Sequence, residues 1–224
     1  MPAPGPEIVD SLFDIIGSID PPQETIAEGA VLLRGLAISF EGDVLAALET
    51  IAAQAPFRRM TTPGGHVMSV AMTNCGAAGW VTDRTGYRYD AVDPQSGRPW
   101  PAMPRAFQTL ASTAAAEAGY GDFAPDTCLI NRYEPGARLS LHQDRNERDF
   151  ARPIVSVSLG LPAVFQFGGL TRTDPVRKFA LRHGDVVVWG GASRLCFHGV
   201  AALKDGLHDR LGRARINLTF RGAL

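Results

Sequence analysis

Two histidines and one aspartate have the types and the spacing that metal chemistry requires. His142 and Asp144 stand two positions apart, and on a strand two such side chains point to the same face. His198 follows 54 residues after Asp144, far enough for a later strand of a barrel to return beside the first. Two histidines and one carboxylate on one face of an ion form the facial triad of non-haem iron(II) oxygenases. A hydrolytic zinc site uses the same donors, so spacing alone leaves the metal open.

A run of alternating polar and apolar residues near the C-terminus suggests an anion site. In a predicted strand over residues 215–221, two arginines, an asparagine and a threonine share one face, while Ile216, Leu218 and Phe220 share the other. Inside a barrel the arginines would need an anionic partner, because a buried unpaired charge is costly. A dicarboxylate cosubstrate such as 2-oxoglutarate would give one carboxylate to an arginine and its 2-oxo acid end to the metal. The alternative is a polar face that points to solvent.

Hydrophobic periodicity and turn residues predict the elements that must position these groups. Helical spacing covers residues 7–16, 43–54 and 104–117. Short β-branched or aromatic runs predict strands over residues 28–35, 128–133, 154–161, 164–167, 179–182, 186–189 and 216–220. The stretch of about 45 residues between the second and third helices is rich in Gly, Thr, Asp and Pro, which is typical of a lid or binding loop.

We therefore expect an α+β architecture that is mainly β. N-terminal helices support a C-terminal barrel or sandwich, whose alternating strands pack one face inside. The predicted organisation is an N-terminal extension over residues 1–28 and a single domain over residues 29–224.

Composition places the chain among ordinary globular proteins. It has 224 residues, 45% of them hydrophobic and 20% charged, which suits one domain with a full-sized core. No apolar run approaches the roughly 18 residues that a membrane span needs, and the N-terminus lacks the basic and apolar regions of a secretory signal. Three widely spaced cysteines without a CxxC pair argue against a disulfide framework or a zinc-cysteine site. We expect a cytoplasmic monomer with no membrane association.

The near-neutral total charge divides unevenly along the chain. Residues 1–56 carry nine acidic and one basic side chain, a balance of −8, whereas the other residues carry 21 basic and 14 acidic ones, a balance of +7. Twenty of the 22 basic residues are arginine, the side chain best shaped for bidentate contacts with phosphate or carboxylate. The pattern permits a polyanionic partner. A compositional bias toward arginine, together with a solvated acidic helix, explains it equally well.

Longer segments between Gly29 and Arg221 carry a resemblance that goes beyond these patterns. They are 56–58 (PFR), 62–65 (TPGG), 68–76 (MSVAMTNCG), 100–104 (WPAMP), 128–133 (CLINRY), 139–144 (LSLHQD), 154–162 (IVSVSLGLP), 165–170 (FQFGGL), 183–191 (HGDVVVWGG) and 217–221 (NLTFR). With these segments the chain resembles the bacterial AlkB family of iron- and 2-oxoglutarate-dependent dioxygenases, which remove alkyl lesions from nucleobases. The resemblance implies a double-stranded β-helix, or jelly-roll, barrel in which residues 57–100 are a nucleotide-recognition lid.

The resemblance also implies a role for individual residues. His142, Asp144 and His198 match the Fe(II) ligands, and with Arg221 they form the catalytic centre, which uses 2-oxoglutarate and O2 as cosubstrates. Residues that match the cosubstrate pocket are Asn131, Tyr133, Leu139, Ser156, Trp189, Arg215, Asn217 and Arg221. Residues that match the substrate-binding region are Thr62, Met72, Trp80, Arg84, Tyr87, Asn146, Glu147 and Arg172. Trp80 is expected to stack on the damaged base opposite the His142 ring, and Tyr87 to contact the DNA backbone.

The activity implied is oxidative demethylation of 1-methyladenine and 3-methylcytosine in DNA, with release of formaldehyde, succinate and CO2. A base inside a duplex is unreachable, so the substrate would be single-stranded or flipped out of the helix. Three alternatives stay open: the same chemistry on RNA, an oxygenase acting on a small molecule, and a non-catalytic nucleic-acid-binding barrel.

Two positions depart from the family pattern. Asn146 stands where the family usually has aspartate, so the pocket loses a negative charge although the amide can still form hydrogen bonds. Both expected lesions are cationic, so we expect a weaker preference for cationic lesions or a broader tolerance, for example toward methylated guanine. Asp83 stands where the family sequence has a histidine. Its slight repulsion of phosphate can be offset by Arg84 beside it.

Overall fold

The computed structural model of the protein describes residues 22–224. The helix predicted over residues 7–16 and most of the predicted N-terminal extension lie outside that range. The first half of the described chain contains β1 (Gln23–Ala27), β2 (Ala30–Leu33), a 3-10 helix (Leu36–Phe40), α1 (Glu41–Gln54), β3 (Arg58–Thr61), β4 (Val67–Gly76), β5 (Gly79–Asp83) and β6 (Gly86–Asp90). The second half contains α2 (Arg105–Glu117), β7 (Thr127–Tyr133), β8 (Leu139–His142), β9 (Ile154–Gly160), β10 (Ala163–Phe167), β11 (Arg177–Leu181), β12 (Val186–Trp189), a 3-10 turn (Gly191–Ser193), β13 (His198–Val200) and β14 (Arg215–Arg221).

The strands of the described chain form three sheets. The largest has the order β1-β2-β12-β9-β14-β7-β4-β3, a second has the order β11-β10-β13-β8, and β5 and β6 form a separate hairpin. Strands of the two larger sheets contribute side chains to one shared apolar core, among them Met72, Phe165 and Trp189. Two antiparallel sheets packed around a common interior form the predicted jelly-roll barrel. Within residues 22–224, no helix is long and apolar enough to cross a membrane.

Helices α1 and α2 pack against the outer face of the large sheet. Each has an apolar stripe at helical spacing, and Leu48 of α1 and Phe107 of α2 join one core cluster with Val155 of β9 and Leu218 of β14. Both helices are confirmed close to their predicted bounds: α1 begins two residues earlier than predicted, and α2 begins one residue later. The helices therefore cover the large sheet on the side away from the barrel interior.

The polar faces of the central strands β9 and β14 point into the barrel. For β9 the burial of both faces differs from the sequence expectation. One packed face was expected, but all seven residues of β9 are buried, because the helices cover Val155 and Val157 on the outside. Its serines face the other way, and Ser156 lines an internal cavity. Strand β14 behaves in the same manner, with Leu218 beneath the helices and Asn217 in the cavity. The apolar faces of β9 and β14 thus pack against the helices, and their polar faces point into the barrel interior.

The stretch interpreted as a long loop is mostly β-structure, so that prediction was wrong. It contains four strands, β3 to β6, and β4 pairs with β7 over Ala71–Gly76, which makes it part of the large sheet. The Gly and Asp content that suggested a loop belongs to the tight turns, such as the one before Gly86, whose φ of 135° favours glycine. The hairpin sits close to Trp100, since a Cβ on Gly79 would lie 2.5 Å from the indole.

Periodicity did not predict several short strands, although the metal-ligand argument placed His142 and His198 on strands. These are β1, β8 and β13, which contain five, four and three residues. Strand β1 lies within the predicted N-terminal extension, yet it pairs with β2 at the edge of the large sheet. A run of this length offers too few repeats for alternation to separate it from irregular chain.

Candidate metal and cosubstrate site

The three predicted metal ligands meet where β8 and β13 pair. His142 ends β8 and is the cross-strand partner of His198, the first residue of β13. Asp144 lies in the loop after β8, so the prediction that it shares a strand face with His142 was wrong. One donor atom from each of the three side chains lies within 4.8 Å of the others, and no second group of this kind occurs among residues 22–224. The arrangement offers one face of ligands to a single ion.

Backbone carbonyls fix the tautomer of both histidines. His142 Nδ1 lies 2.9 Å from the Ser140 carbonyl oxygen, and His198 Nδ1 lies 3.1 Å from the Cys196 carbonyl oxygen. A carbonyl only accepts, so each Nδ1 carries the proton and each Nε2 presents a lone pair. The two Nε2 atoms lie 3.7 and 3.8 Å from different carboxylate oxygens of Asp144. Ordering of the metal-binding nitrogen by a second hydrogen bond is the usual arrangement at histidine metal sites.

The protonation states of the triad also suit a divalent cation. Burial alone would raise the pKa of Asp144, but Arg221, His198 and His142 together hold it below its ordinary range. Arg221 donates from Nε and Nη2 to the same Asp144 oxygen, at 2.9 and 2.6 Å. Burial and the neighbouring His142 lower the pKa of His198 to about 4, although Asp144 opposes the shift. At neutral pH the carboxylate is therefore ionised and His198 is neutral, as metal coordination requires.

Arg215 is a buried cation that lacks most of its hydrogen-bond partners. Its Nη2 donates to Ser158 Oγ at 2.9 Å, and its guanidinium carbon lies 4.9 Å from the centre of the Tyr133 ring. Burial lowers its pKa, and Nε and Nη1 have no partner within the described chain; the same is true of Arg221 Nη1. Buried guanidinium groups with free donors are costly unless an anion satisfies them. This observation fits a carboxylate cosubstrate and argues against a solvent-facing strand.

A network of uncharged polar groups continues the anion site. Asn131 Nδ2 donates to Asn217 Oδ1 at 3.1 Å, and Asn217 Nδ2 donates to Ser156 Oγ at 2.9 Å. Thr219 Oγ1 donates to the same Asn217 oxygen at 3.0 Å. Asn131 Oδ1 and Trp189 Nε1 are buried without a partner in the described chain. Groups left open in this way are available to a polar ligand.

One cavity of about 760 Å³ collects most of the predicted site residues. The metal ligands and all eight predicted cosubstrate residues line it, namely Asn131, Tyr133, Leu139, His142, Asp144, Ser156, Trp189, His198, Arg215, Asn217 and Arg221. Five of the eight predicted substrate residues line it as well, namely Thr62, Met72, Trp80, Tyr87 and Asn146. A metal ion and a dicarboxylate therefore fit a pocket that keeps room for a substrate group beside an aromatic wall.

The β5–β6 hairpin supplies that aromatic wall. The rings of Trp80 and Tyr87 stack with centroids 5.7 Å apart. Trp80 Nε1 donates to Asn146 Oδ1 at 3.1 Å, which fixes the indole relative to the loop that carries Asp144. Asn146, the position that departs from the family pattern, thus orients the predicted stacking residue.

Three predicted substrate residues do not line the cavity. Arg84 is exposed in the turn between β5 and β6. Arg172 is also exposed, and its guanidinium lies 5.0 Å from the centre of the Phe197 ring. Glu147 is 6% exposed and is bound by other protein side chains.

Sequence reasoning missed several side chains of the site. Met68 and Phe165 line the cavity, and Tyr89 and Arg194 bind Glu147. Met68 could have been predicted as a lining residue, because it lies four residues before Met72 on β4 and therefore on the same face of the strand. Tyr89 and Arg194 gave no signal, since a buried hydrogen-bond or ion-pair partner cannot be distinguished in sequence from an exposed polar side chain.

The metal-free protein should lose stability as the pH falls from about 6.5 toward about 4. The unfolded chain protonates His198 near its ordinary pKa of 6.5, whereas the folded site keeps it neutral down to about 4. In this window the unfolded state binds more protons, so stability rises with pH. Between pH 6.5 and pH 5 the contribution is about 2 kcal/mol at most. Urea unfolding of His198→Gln should show a correspondingly smaller pH dependence than wild type. His66→Gln, which changes an exposed histidine, is the control, and equal pH dependence in all three proteins would contradict the assignment.

Comparison with known proteins identifies the family. Residues 29–221 match the model of the 2OG-Fe(II) oxygenase superfamily. The chain is 57% identical over 212 residues to the alpha-ketoglutarate-dependent dioxygenase AlkB of Escherichia coli (strain K12), which covers 95% of this chain and 98% of that protein. It is 32% identical over 121 residues to the human nucleic acid dioxygenase ALKBH1, covering 54% of this chain and 31% of that protein. The structure of OsALKBH1 superposes with a TM-score of 0.78 at 28% identity, covering 89% of this chain and 99% of that one.

These similarities resolve the choice that spacing and donor type leave open. Iron(II) and 2-oxoglutarate, rather than a hydrolytic zinc ion, belong with the His142, Asp144 and His198 donors and the unsatisfied Arg215 guanidinium. The chain belongs to the bacterial AlkB family of Fe(II)- and 2-oxoglutarate-dependent dioxygenases.

Proposed function

We propose that this dioxygenase removes methyl groups from alkylated nucleobases in DNA, with 1-methyladenine and 3-methylcytosine as substrates. The observation that carries the proposal is the position of Trp80, whose indole lines the same cavity as His142, Asp144 and His198. A flat apolar side chain beside an oxidising centre suits a nucleobase that has left the base stack. The human relative that is named a nucleic acid dioxygenase supports the same substrate class.

Different residues of the chain would bind the metal, the cosubstrate and the base. His142, Asp144 and His198 would hold the iron, and Arg215 and Arg221 would hold the carboxylates of 2-oxoglutarate. When bound, iron, 2-oxoglutarate and O2 would supply the oxidising chemistry, in which one oxygen atom goes to the N-methyl carbon and the other to succinate with loss of CO2. The hydroxymethylated base then breaks its carbon–nitrogen bond and releases formaldehyde. Trp80 and Tyr87 would orient the base, and the lid over residues 57–100 would contact the nucleic acid chain.

Formaldehyde release from a single-stranded oligonucleotide with one 1-methyladenine tests the proposal. We expect release from DNA that requires added Fe(II) and 2-oxoglutarate and that is abolished in His142→Ala, because the variant lacks one of three metal ligands. An RNA oligonucleotide of the same sequence is the parallel arm. Turnover by His142→Ala would contradict the iron assignment, and activity confined to RNA would replace DNA with RNA as the substrate.

Removal of the Trp80 ring should weaken substrate binding. We expect Trp80→Ala to raise KM for the methylated oligonucleotide about 5- to 150-fold, since base–aromatic stacking contributes roughly 1–3 kcal/mol. Trp80→Phe keeps a stacking ring but loses the hydrogen bond to Asn146 Oδ1, so its KM should lie between those of Trp80→Ala and wild type. Steady-state kinetics on all three proteins provides the measurement. An unchanged KM in Trp80→Ala would rule out stacking on this residue.

A charge at position 146 should sharpen the preference for cationic bases. Asn146→Asp keeps the oxygen that accepts the Trp80 hydrogen bond and adds only a negative charge, so it separates electrostatics from geometry. We expect the ratio of 1-methyladenine to 1-methylguanine turnover to rise about fivefold, which corresponds to roughly 1 kcal/mol for unit charges about 4 Å apart in water. Asn146→Ala, which removes the acceptor, is the control for the loss of the hydrogen bond. Equal ratios in wild type and Asn146→Asp would refute the expectation.

A further inference from the structure

A buried group of charged side chains adjoins the metal ligands without lining the cavity. Glu147 and Arg194 are 6% and 3% exposed. Glu147 Oε1 accepts a hydrogen bond from the Tyr89 hydroxyl at 2.6 Å and lies 3.4 Å from Arg221 Nε. Glu147 Oε2 lies 3.2 Å from Arg194 Nη2. Glu147 Oε2 has this ion pair but accepts no hydrogen bond within the described chain, and Glu147 does not line the cavity. We call Tyr89, Glu147 and Arg194 the support group.

The support group reaches Asp144 through Arg221. The Arg221 guanidinium stands between two buried carboxylates: Nε and Nη2 donate to Asp144 Oδ2, and Nε also lies within ion-pair distance of Glu147. A guanidinium held from two sides has little freedom to rotate. Glu147 therefore restricts the orientation of Arg221, and Arg221 in turn restricts the orientation of the Asp144 carboxylate.

Arg194 holds the backbone of the same loop. Its Nη1 donates to the Asp144 carbonyl at 3.1 Å and its Nε donates to the Arg152 carbonyl at 2.9 Å. Its guanidinium carbon also lies 5.3 Å from the centre of the Phe150 ring. One buried side chain thus fixes the loop at residues 144 and 152, which compensates for the absence of a strand at Asp144.

Tyr89 connects the support group to the substrate hairpin. It lies on β6 as the cross-strand partner of Trp80, so the residue that bonds Glu147 is paired with the residue of the aromatic wall. Burial raises the pKa of the Tyr89 hydroxyl well above its ordinary value, so the hydroxyl remains a hydrogen-bond donor to the carboxylate.

We propose that Glu147 is a positioning residue for the metal ligand Asp144, and that Tyr89 and Arg194 hold Glu147 in this role. Two buried carboxylates, Asp144 and Glu147, are balanced by Arg194 and Arg221, so the four side chains have no net charge. Loss of the Glu147 charge would leave an excess positive charge beside a site that must bind a divalent cation. The resemblance to the family implied a substrate contact for Glu147, and the buried contacts support this different role. The proposal rests on the metal site and not on the identity of the base.

Metal affinity tests the proposal without any turnover. Mn(II), a spectroscopic substitute for Fe(II), is titrated into the metal-free protein, and free Mn(II) is followed by electron paramagnetic resonance. We expect Glu147→Gln to bind Mn(II) about 10- to 100-fold more weakly than wild type, the range typical for loss of a group that orients a metal ligand. Tyr89→Phe, which keeps the Glu147 charge and loses one hydrogen bond, should weaken binding by a smaller factor.

Two further variants separate positioning from a general structural role. Glu147→Asp keeps the charge but shortens the side chain, and it should recover most of the Mn(II) affinity that Glu147→Gln loses. Glu134→Gln removes a carboxylate that pairs with Arg59 and is 51% exposed, and it should bind Mn(II) as wild type does. Wild-type affinity in Glu147→Gln, or equal losses in Glu147→Asp and Glu147→Gln, would overturn the proposal. Because no nucleic acid enters the assay, its outcome is independent of the formaldehyde experiment.

Discussion

The inward-facing polar side of β14 is the constraint on which the rest of the structure depends. This strand lies between β9 and β7 near the middle of the large sheet, so it cannot turn its arginines toward solvent. Its apolar residues are held beneath α1 and α2, and register with its neighbours fixes which side chains point inward. Arg215 and Arg221 therefore enter the barrel interior because the helices take the opposite face. This inward orientation of Arg215 and Arg221 gives the cavity its polar lining, orients the Asp144 carboxylate and leaves buried guanidinium groups that an anion can bind.

The site combines residues from the two large sheets with residues from a separate hairpin. Metal ligands from β8 and β13 are fixed by cross-strand pairing and by backbone carbonyls. The aromatic wall lies on a two-stranded hairpin that belongs to neither large sheet, and a few side-chain hydrogen bonds connect it to the loop after β8. Asn74 of β4 also forms two hydrogen bonds with the Trp80 backbone, and Val81 of the hairpin is buried in the main core, so the wall has a fixed position over the cavity. The same hairpin carries Tyr89, whose hydroxyl bonds Glu147, so the aromatic wall and the metal ligands are connected through buried side chains.

Sequence reasoning succeeded where a residue's role follows from its type and its parity along a strand. Both helices and the alternation of residues 215–221 were within reach, because each depends on local spacing. The three metal ligands were predicted from residue type and from the family resemblance, since spacing alone left the metal open and Asp144 lies outside a strand. The resemblance to the family added the cosubstrate residues, all of which line the cavity. The hairpin was misread as a loop because strands of five residues next to Gly-rich turns carry weak periodicity. Glu147 could not be placed, because its burial depends on Tyr89 and Arg194, which are distant in sequence and converge only in the folded chain.

The direct pairing of His142 with His198 has a consequence for assembly of the protein. Successive residues of a strand point to opposite faces, so a slip of one residue between β8 and β13 would turn one imidazole away from the other. Both strands are short, with four and three residues, and their pairing is irregular between His198 and Val200. The register of β13 is therefore set mainly by its pairing with β10 on the other side, whereas β8 has no second neighbour among the described strands of this sheet. An ion that requires both imidazoles stabilises only the correctly paired chain. Iron binding would therefore favour the correct register of β8 and β13 during folding. A molecule with the wrong register would lack the catalytic centre.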